Sequence, residues 1–341
     1  MKQKLRITFL TRLYHPHVGG VEKHLEVLSK MLVKRGYIIT IITEKYDNKL
    51  KSLETYDGIM VYRVPVSKNV FFKKFFVWVW ICKNLSLIYN SDVVHVHDIF
   101  YWILPFRLLL IHKKIYTTFH GYEGFPVSWR WVLQRKVIEK LSNGTICIGD
   151  FMKKWYLAAP TYISYGGVKL AREIKAKNDR SAVFFGRLDD QTGIQEYISA
   201  YKKIKQKFPN FSLTVVGEGK YVKKIPKDVR ILNFTKNVEK YISENRIVFV
   251  SRYLSMLEAL IQKREIVAVY DNPVKKDYLL MSPFAKFVHI SKNATEVEAH
   301  VVRILSEGEN KKQIEEGYLW ARKNTWENVL NTYFRLWGIN K

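Results

Sequence analysis

Short β-branched runs alternate with helical stretches from the first residues, and this alternation restricts the chain to a small set of folds. LRITFL (5–10) reads as a buried strand. VEKHLEVLSKMLVKRG follows, with Val21, Leu25, Leu28 and Leu32 at helical spacing and Gly36 as its stop. YIITIIT (37–43) is the next strand. A strand, a helix and a strand within about 40 residues form a βαβ unit, whose strands pair in parallel. DVVHVHD (92–98), KIYTTFH (114–120) and TICIG (145–149) add strands. The pattern restarts at SAVFFGRL (181–188), a strand ending in a turn. The helix GIQEYISAYKKIKQKF and the runs FSLTVVGEG, VRILNF, IVFVS and EIVAVYD follow it. KLAREIKAKNDR (169–180) is polar and lacks periodicity, so it reads as a linker between two α/β domains, each a doubly wound parallel sheet. Ligands of such sheets bind beyond the carboxyl ends of the strands, and two facing sheets make the cleft between them the expected site.

Charge narrows the partners. The 341 residues include 57 Lys and Arg against 31 Asp and Glu, a formal net charge of +26. Residues 1–170 carry 26 basic and 11 acidic residues and the remainder 31 and 20, so the excess is no tail. Such a field favours phosphorylated ligands, an anionic bilayer or nucleic acid. No helix-turn-helix, zinc-finger or RNA-binding signature is present, so a nucleic-acid partner is not expected. Cys82 and Cys147 cannot build a disulfide framework, and no Cys/His group has metal-ligand spacing. The apolar stretch behind Lys2, Lys4 and Arg6 is only ITFL, too short for a signal peptide, and no run approaches the roughly 20 apolar residues of a membrane span. The expected location is cytoplasmic, peripheral on the inner face of the cell membrane. The segment that suggests this contact is FFKKFFVWVWICK (71–83), where Phe75, Phe76, Trp78 and Trp80 crowd beside Lys73 and Lys74. YWILPFRLLLIHKK (101–114) is similar in character. Core packing is the competing reading.

Several strand ends carry candidate groups. Gly19 and Gly20 lie between the first strand and its helix, where unpaired N–H groups could receive a phosphate or an oxyanion, or the pair could simply form a tight turn. His120 ends a strand and either donates to a sugar hydroxyl or packs internally. His95 and His97 alternate with valines and read as structural. Arg187 ends the first strand of the second half and could fork onto a diphosphate, or lie on the surface of a basic chain. Gly217, Glu218 and Gly219 suggest either a close approach to a nucleotide or a β-turn. Glu258 sits among apolar residues of the helix SRYLSMLEALIQKRE, where it either holds ribose hydroxyls or faces solvent.

These motifs, in this order, resemble the family 4 retaining glycosyltransferases of the GT-B fold. The resemblance rests on FLTRLYHPHVGGVEKHLEVLSKMLVKRGYIITIIT, DVVHVHD, TTFHGYE, FFGRLDDQTGI, TVVGEG and SMLEAL, and spans nearly the whole chain. It implies a GT-B architecture of two Rossmann-like domains. Residues 1–168 would form the acceptor side, 181–320 the nucleotide-sugar side, and 321–341 (with NTWENVLNTYFRLW) a helix crossing back. It implies transfer of a sugar from a nucleotide diphosphate donor with retained configuration and no cofactor or metal. Arg187 aligns with the diphosphate-binding arginine and Glu258 with the ribose-binding glutamate. Leu257 and the Gly217–Gly219 turn lie beside the donor. Gly20 matches the phosphate-facing glycine and His120 the histidine near the transferred sugar. Two positions depart from the pattern. Thr192 stands where a lysine is usual, and Val250 where the first glutamate of the pair would fall.

Cleavage of a glycosyl phosphate builds negative charge on the diphosphate, so groups preorganised for that charge supply most of the acceleration. No second carboxylate at a strand end offers itself as a nucleophile. The expectation is a front-face displacement, in which a donor phosphate oxygen deprotonates the acceptor hydroxyl. The basic, aromatic first half points to a lipid-linked or cell-surface glycan acceptor at a membrane face. A non-catalytic nucleotide-sugar binder of the same fold, motivated by Thr192 and Val250, and a nucleotide-sugar epimerase are the alternatives.

Overall fold

The computed structural model describes residues 4–66, 70–170, 178–235 and 237–339. They form two compact units: Met1–Ser164 with Val329–Lys341, and Tyr165–Asn328.

The first unit is built on an eight-stranded sheet. Its strands are β1 (Arg6–Thr11), β2 (Ile38–Lys45), β3 (Leu53–Tyr56), β4 (Ile59–Pro65), β5 (Val93–His97), β6 (Ile115–Phe119), β7 (Thr145–Ile148) and β8 (Tyr162–Ser164). Their order is β3-β4-β2-β1-β5-β6-β7-β8, and all pairs are parallel except β3 with β4. β5, β6 and β7 are buried along their whole length, as expected of parallel strands covered on both faces. The antiparallel β3–β4 hairpin departs from the βαβ rhythm. Asp57 (φ 50°) and Gly58 (φ 77°) turn it, an Asp-Gly pair in the left-handed region that two-residue hairpin turns require. Arg63 of β4 is fully buried beneath this hairpin. Its guanidinium donates to Glu54 Oε1 (2.5 Å), His15 O (2.8 Å) and Lys51 O (3.1 Å), so the charge is paired.

The second unit carries β9 (Asn178–Phe185), β10 (Ser212–Val216), β11 (Arg230–Leu232), β12 (Asn245–Phe249), β13 (Glu265–Val269) and β14 (His289–Ser291). All pairs are parallel, in the order β11-β10-β9-β12-β13-β14. The expected linker 169–180 is shorter than read: β9 already begins at Asn178, with its first three residues exposed, and 171–177 lie outside the described residues. Tyr197 anchors the core. Its ring stacks on Phe249 at 4.7 Å, while its hydroxyl donates to Val267 O (3.2 Å) and accepts from Val269 N (3.1 Å). A buried phenol thus has both hydrogen-bonding roles filled.

Each sheet is largely parallel, so within it the carboxyl ends of the parallel strands lie along one edge. In the first unit β1, β5 and β6 are neighbours and end near Thr11, His97 and Phe119. In the second, β10, β9, β12 and β13 are neighbours and end near Val216, Phe185, Phe249 and Val269.

Candidate active site

On the second unit, the loop after β9 brings Arg187 to the carboxyl edge. Its side chain is 61% exposed, with Nε 3.4 Å from Asp189 Oδ2 and Nη2 donating to Gln191 Oε1 at 3.3 Å. Arg252, from the loop after the neighbouring β12, donates to the same Gln191 oxygen at 3.4 Å. Glu258 lies half-buried on the helix Tyr253–Leu260 that follows. Leu257, in contrast, has a fully buried side chain.

The two positions that depart from the family pattern also point inward. Thr192 donates its hydroxyl to Asp189 O (2.8 Å), and its carbonyl accepts from Ser251 Oγ (3.2 Å). Val250 is buried and continues the sheet, donating to Val267 O (3.3 Å). Neither side chain meets solvent at the edge. Lys275 enters the same loop cluster from the helix Pro273–Leu280. It is buried, and its ammonium donates to Gln191 O at 2.5 Å. Burial and, after it, the nearby Arg252 lower its pKa to about 7. A cavity of about 380 Å³ flanks this turn, walled by Asp189, Asp190, Asp271, Lys275 and Lys292. Its three aspartates disfavour a diphosphate there, so the arginine side is the better seat for one.

The close approach expected at Gly217 and Gly219 is made by the chain itself. Gly217 has φ 156°, and a Cβ there would stand 1.9 Å from Gly186 O; at Gly219 it would stand 2.6 Å from Leu188 O. Gly186 N donates to Val216 O and Leu188 N to Glu218 O, tying the two loops together. The Glu218 side chain is exposed and accepts from Phe234 N at 3.4 Å. Gly217→Ala should therefore destabilise the second unit by about 2–4 kcal/mol, combining left-handed strain with overpacking against backbone. Urea unfolding measures this. A loss below about 0.5 kcal/mol, the range of an ordinary surface change, would contradict the backbone role.

On the first unit, His120 follows β6 and is half-buried. Its N–H donates to Asp98 Oδ1 (2.9 Å), and its Nε2 meets His97 Nδ1 at 2.7 Å. The His97 Nε2 is buried without a partner. Orphaned buried N–H groups are rarer than orphaned acceptors, so the network assigns the His97 proton to Nδ1. His120 Nε2 then accepts, and its own ring hydrogen sits on Nδ1. A second relay runs beside it. Trp337 Nε1 donates to His95 Nδ1 (3.0 Å), and His95 Nε2 to Thr118 Oγ1 (2.7 Å). Thr118 donates to the Tyr333 hydroxyl (3.0 Å), and that hydroxyl to His24 Nε2 (2.9 Å). His24, His95 and His120 each use one ring nitrogen as an acceptor, which requires them to be neutral. Burial first, and histidine neighbours second, hold the pKa of His24, His95 and His97 well below the usual value and that of His120 at about 3. The sequence reading of His95 and His97 as structural agrees with their burial, although His97 also orients His120.

The loop after His120 is held by Arg135, which sequence reasoning missed. Its guanidinium lies 3.7 Å from the Tyr156 ring centroid and donates to Gly121 O (2.5 Å) and Glu123 Oε1 (2.9 Å). Gly20 opens the helix Gly20–Lys34, with Gly19 as its extended N-cap. The Glu22 carboxylate folds back over Gly19, paired with His17 Nδ1 at 2.9 Å. It supplies the negative charge that this helix end favours.

The aromatic segment forms the helix Val70–Lys83. Val77 and Ile81 point into the core; Trp78 and Trp80 are half-buried, and Trp78 Nε1 donates to Tyr101 O (2.8 Å). Those two tryptophans are therefore not free interfacial anchors. Phe75 and Phe76, at 59% and 49%, face solvent. Lys73 is also not a free cation, because Nζ donates to the buried Glu44 at 2.7 Å. Lys74 is exposed beside the Tyr101 ring. The helix Trp129–Leu141 adds a stripe that the sequence reading did not single out: Trp129, Leu133 and Val137, four residues apart and all exposed.

Two parallel-sheet α/β units in one chain are the architecture of the GT-B proteins. The family comparisons agree. The Glycosyltransferase Family 4 model matches residues 18–172, and the Glycosyl transferases group 1 model matches 169–318. The chain belongs to the GT-B glycosyltransferases of the group 1 type. It is 25% identical over 253 residues to the phosphatidylinositol N-acetylglucosaminyltransferase gpi3 subunit of Schizosaccharomyces pombe, covering 69% of this chain and 54% of that one. The chain thus spans about half the length of that curated relative. Its fold matches the sucrose-phosphate synthase of Thermosynechococcus elongatus (TM-score 0.77, 14% identity, 98% of each chain). It also matches the Anabaena HepE crystallised with UDP-glucose (TM-score 0.70, 12% identity, 96% and 98%).

Proposed function

We propose that the protein is a retaining glycosyltransferase that moves a sugar from a nucleoside diphosphate donor to a hydroxyl acceptor on a lipid-linked or cell-surface glycan precursor at an anionic membrane face. The observation that carries this reading is the carboxyl edge of the second unit, where the loops after adjacent β9 and β12 present Arg187 and lead into the helix bearing Glu258. Arg187 matches the charge that develops on the departing diphosphate, and Glu258 the ribose hydroxyls. In the transfer, the acceptor oxygen bonds to the anomeric carbon as the glycosyl–phosphate bond breaks. The acceptor proton passes to a donor phosphate oxygen, and the nucleoside diphosphate leaves. His120 Nδ1–H is a donor suited to a sugar hydroxyl. The Anabaena neighbour was crystallised with UDP-glucose, which supports this donor class, and the name of the yeast relative supports a lipid acceptor.

Incubation with a panel of nucleotide sugars and lipid extract tests the reading. Nucleoside diphosphate release with a glycosylated lipid product is expected. Binding without turnover favours the non-catalytic alternative, to which the buried Thr192 and Val250 lend weight. Interconversion of the nucleotide sugar itself would indicate an epimerase.

Among the described residues, no helix is long and apolar enough to cross a membrane. Membrane contact in this reading is peripheral, through the exposed Phe75, Phe76 and Lys74, with the exposed Leu108, Leu109 and Ile111 in the segment 104–111. Binding to anionic vesicles should exceed binding to neutral ones and weaken with salt. Lys74→Glu should lower it about fivefold or more, from the roughly 1 kcal/mol a lysine contributes near an anionic surface. Lys73→Glu is unsuitable, because it sets two carboxylates against each other at Glu44. Equal, negligible sedimentation with both vesicle types would refute the membrane contact.

A further inference from the structure

Two guanidiniums and an ammonium converge on one glutamine of the second unit. Gln191 Oε1 accepts from Arg187 Nη2 (3.3 Å) and Arg252 Nη2 (3.4 Å), and its main-chain oxygen accepts from Lys275 Nζ (2.5 Å). The two arginines come from the loops beyond β9 and β12 and the lysine from the helix that follows β13, three strands consecutive in the sheet. Their adjacency is therefore a product of the topology. A neutral amide oxygen is a weaker partner than a phosphate for guanidiniums, whose planar forks suit paired oxygens, although Arg187 also holds Asp189 Oδ2 at 3.4 Å. The positive field here is strong enough that Arg252 helps to lower the affinity of Lys275 for its proton. Arg187 is exposed and Arg252 half-exposed, whereas Lys275 is buried. Thr192, where the family pattern has a lysine, is turned into its own loop.

We propose that Arg252 is the second cation on the donor diphosphate, supplying the charge that Thr192 lacks, and that phosphate oxygens displace Gln191 Oε1 from both arginines on binding. The proposal rests on the second unit being the donor site. Lys275 is a positioning residue in this scheme, holding the 189–193 turn through Gln191.

Calorimetric titration of the full chain with UDP and UMP, and with the GDP/GMP and ADP/AMP pairs, tests both levels. The wild type should bind one nucleoside diphosphate more tightly than its monophosphate. Arg252→Ala should weaken the diphosphate about 10- to 100-fold, the range for a hydrogen bond to a charged group, and leave the monophosphate within about threefold. Arg252→Lys should recover part of the loss, and Arg187→Ala should show the same selectivity. An unchanged unfolding midpoint would exclude collapse of the loop. If Arg187→Ala is selective for the diphosphate but Arg252→Ala is silent, or weakens both ligands equally, Arg252 is not the second cation and the donor site stands. If the wild type binds none of the diphosphates, the donor-site reading falls and takes this proposal with it.

Discussion

Replacing Arg187 with alanine should lower turnover of the preferred nucleotide sugar by about 100-fold or more, the scale of losing one preorganised donor to a developing anion. The unfolding midpoint should hardly move. The side chain is 61% exposed, its contacts are to Asp189 and Gln191 at the surface, and surface substitutions usually stay within about 0.5 kcal/mol. The loss should appear in kcat as well as KM, because the diphosphate carries more charge at the transition state than in the donor. Arg187→Lys keeps the charge but loses the fork, so intermediate activity is expected. Steady-state kinetics on purified variants decide the matter. Unchanged kcat in Arg187→Ala would remove this arginine from the reaction.

Acid should unfold the first unit at a pH where most proteins remain folded. His24, His95, His97 and His120 are held neutral in the folded state, with pKa values below the ordinary 6.5. Above about pH 7.5 both folded and unfolded chains leave them unprotonated, and they contribute no pH dependence. Below 6.5 the unfolded chain takes up protons that the folded unit refuses, so stability falls as pH falls. It goes on falling until the folded pKa is reached, about 3 for His120. Each histidine withholds roughly 1 kcal/mol per pH unit. The four losses accumulate between pH 7.5 and 5, and Asp98, whose burial raises its pKa to about 6, offsets a part of them. Urea unfolding across that range should show a decline, with a net uptake of protons on unfolding at the acid end. Flat stability down to pH 5 would contradict the neutral relay. Because His120 is neutral throughout, its titration should produce no activity limb near pH 6.5.

The order of elements could be read from the sequence because parallel sheets announce themselves. Buried runs such as DVVHVHD and IVFVS alternate with amphipathic helices, and their ends mark where ligands are met. His120 and Arg187 stood out for that reason. Arg252 did not, although it lies inside a quoted motif. Its meaning depends on β12 lying beside β9, and that adjacency is set by the sheet order and not by spacing along the chain. Lys73 misled in the opposite direction. A lysine among aromatics suggests a headgroup contact, but the buried Glu44, 29 residues earlier, claims its ammonium. The glycines of Gly217–Gly219 suggested a close approach to a nucleotide, and nothing local indicated that the backbone of Gly186–Leu188 comes close to them. The Asp57-Gly58 hairpin turn was a local signal that the βαβ rhythm hid.

A crystal structure of the protein soaked with the nucleoside diphosphate it binds best tests the central claim most directly. The two phosphates should lie within hydrogen-bonding distance of Arg187 and the ribose hydroxyls against Glu258, beyond the carboxyl ends of β9 and β12. A nucleotide found elsewhere on the molecule, with Arg187 still turned to Gln191, would contradict it.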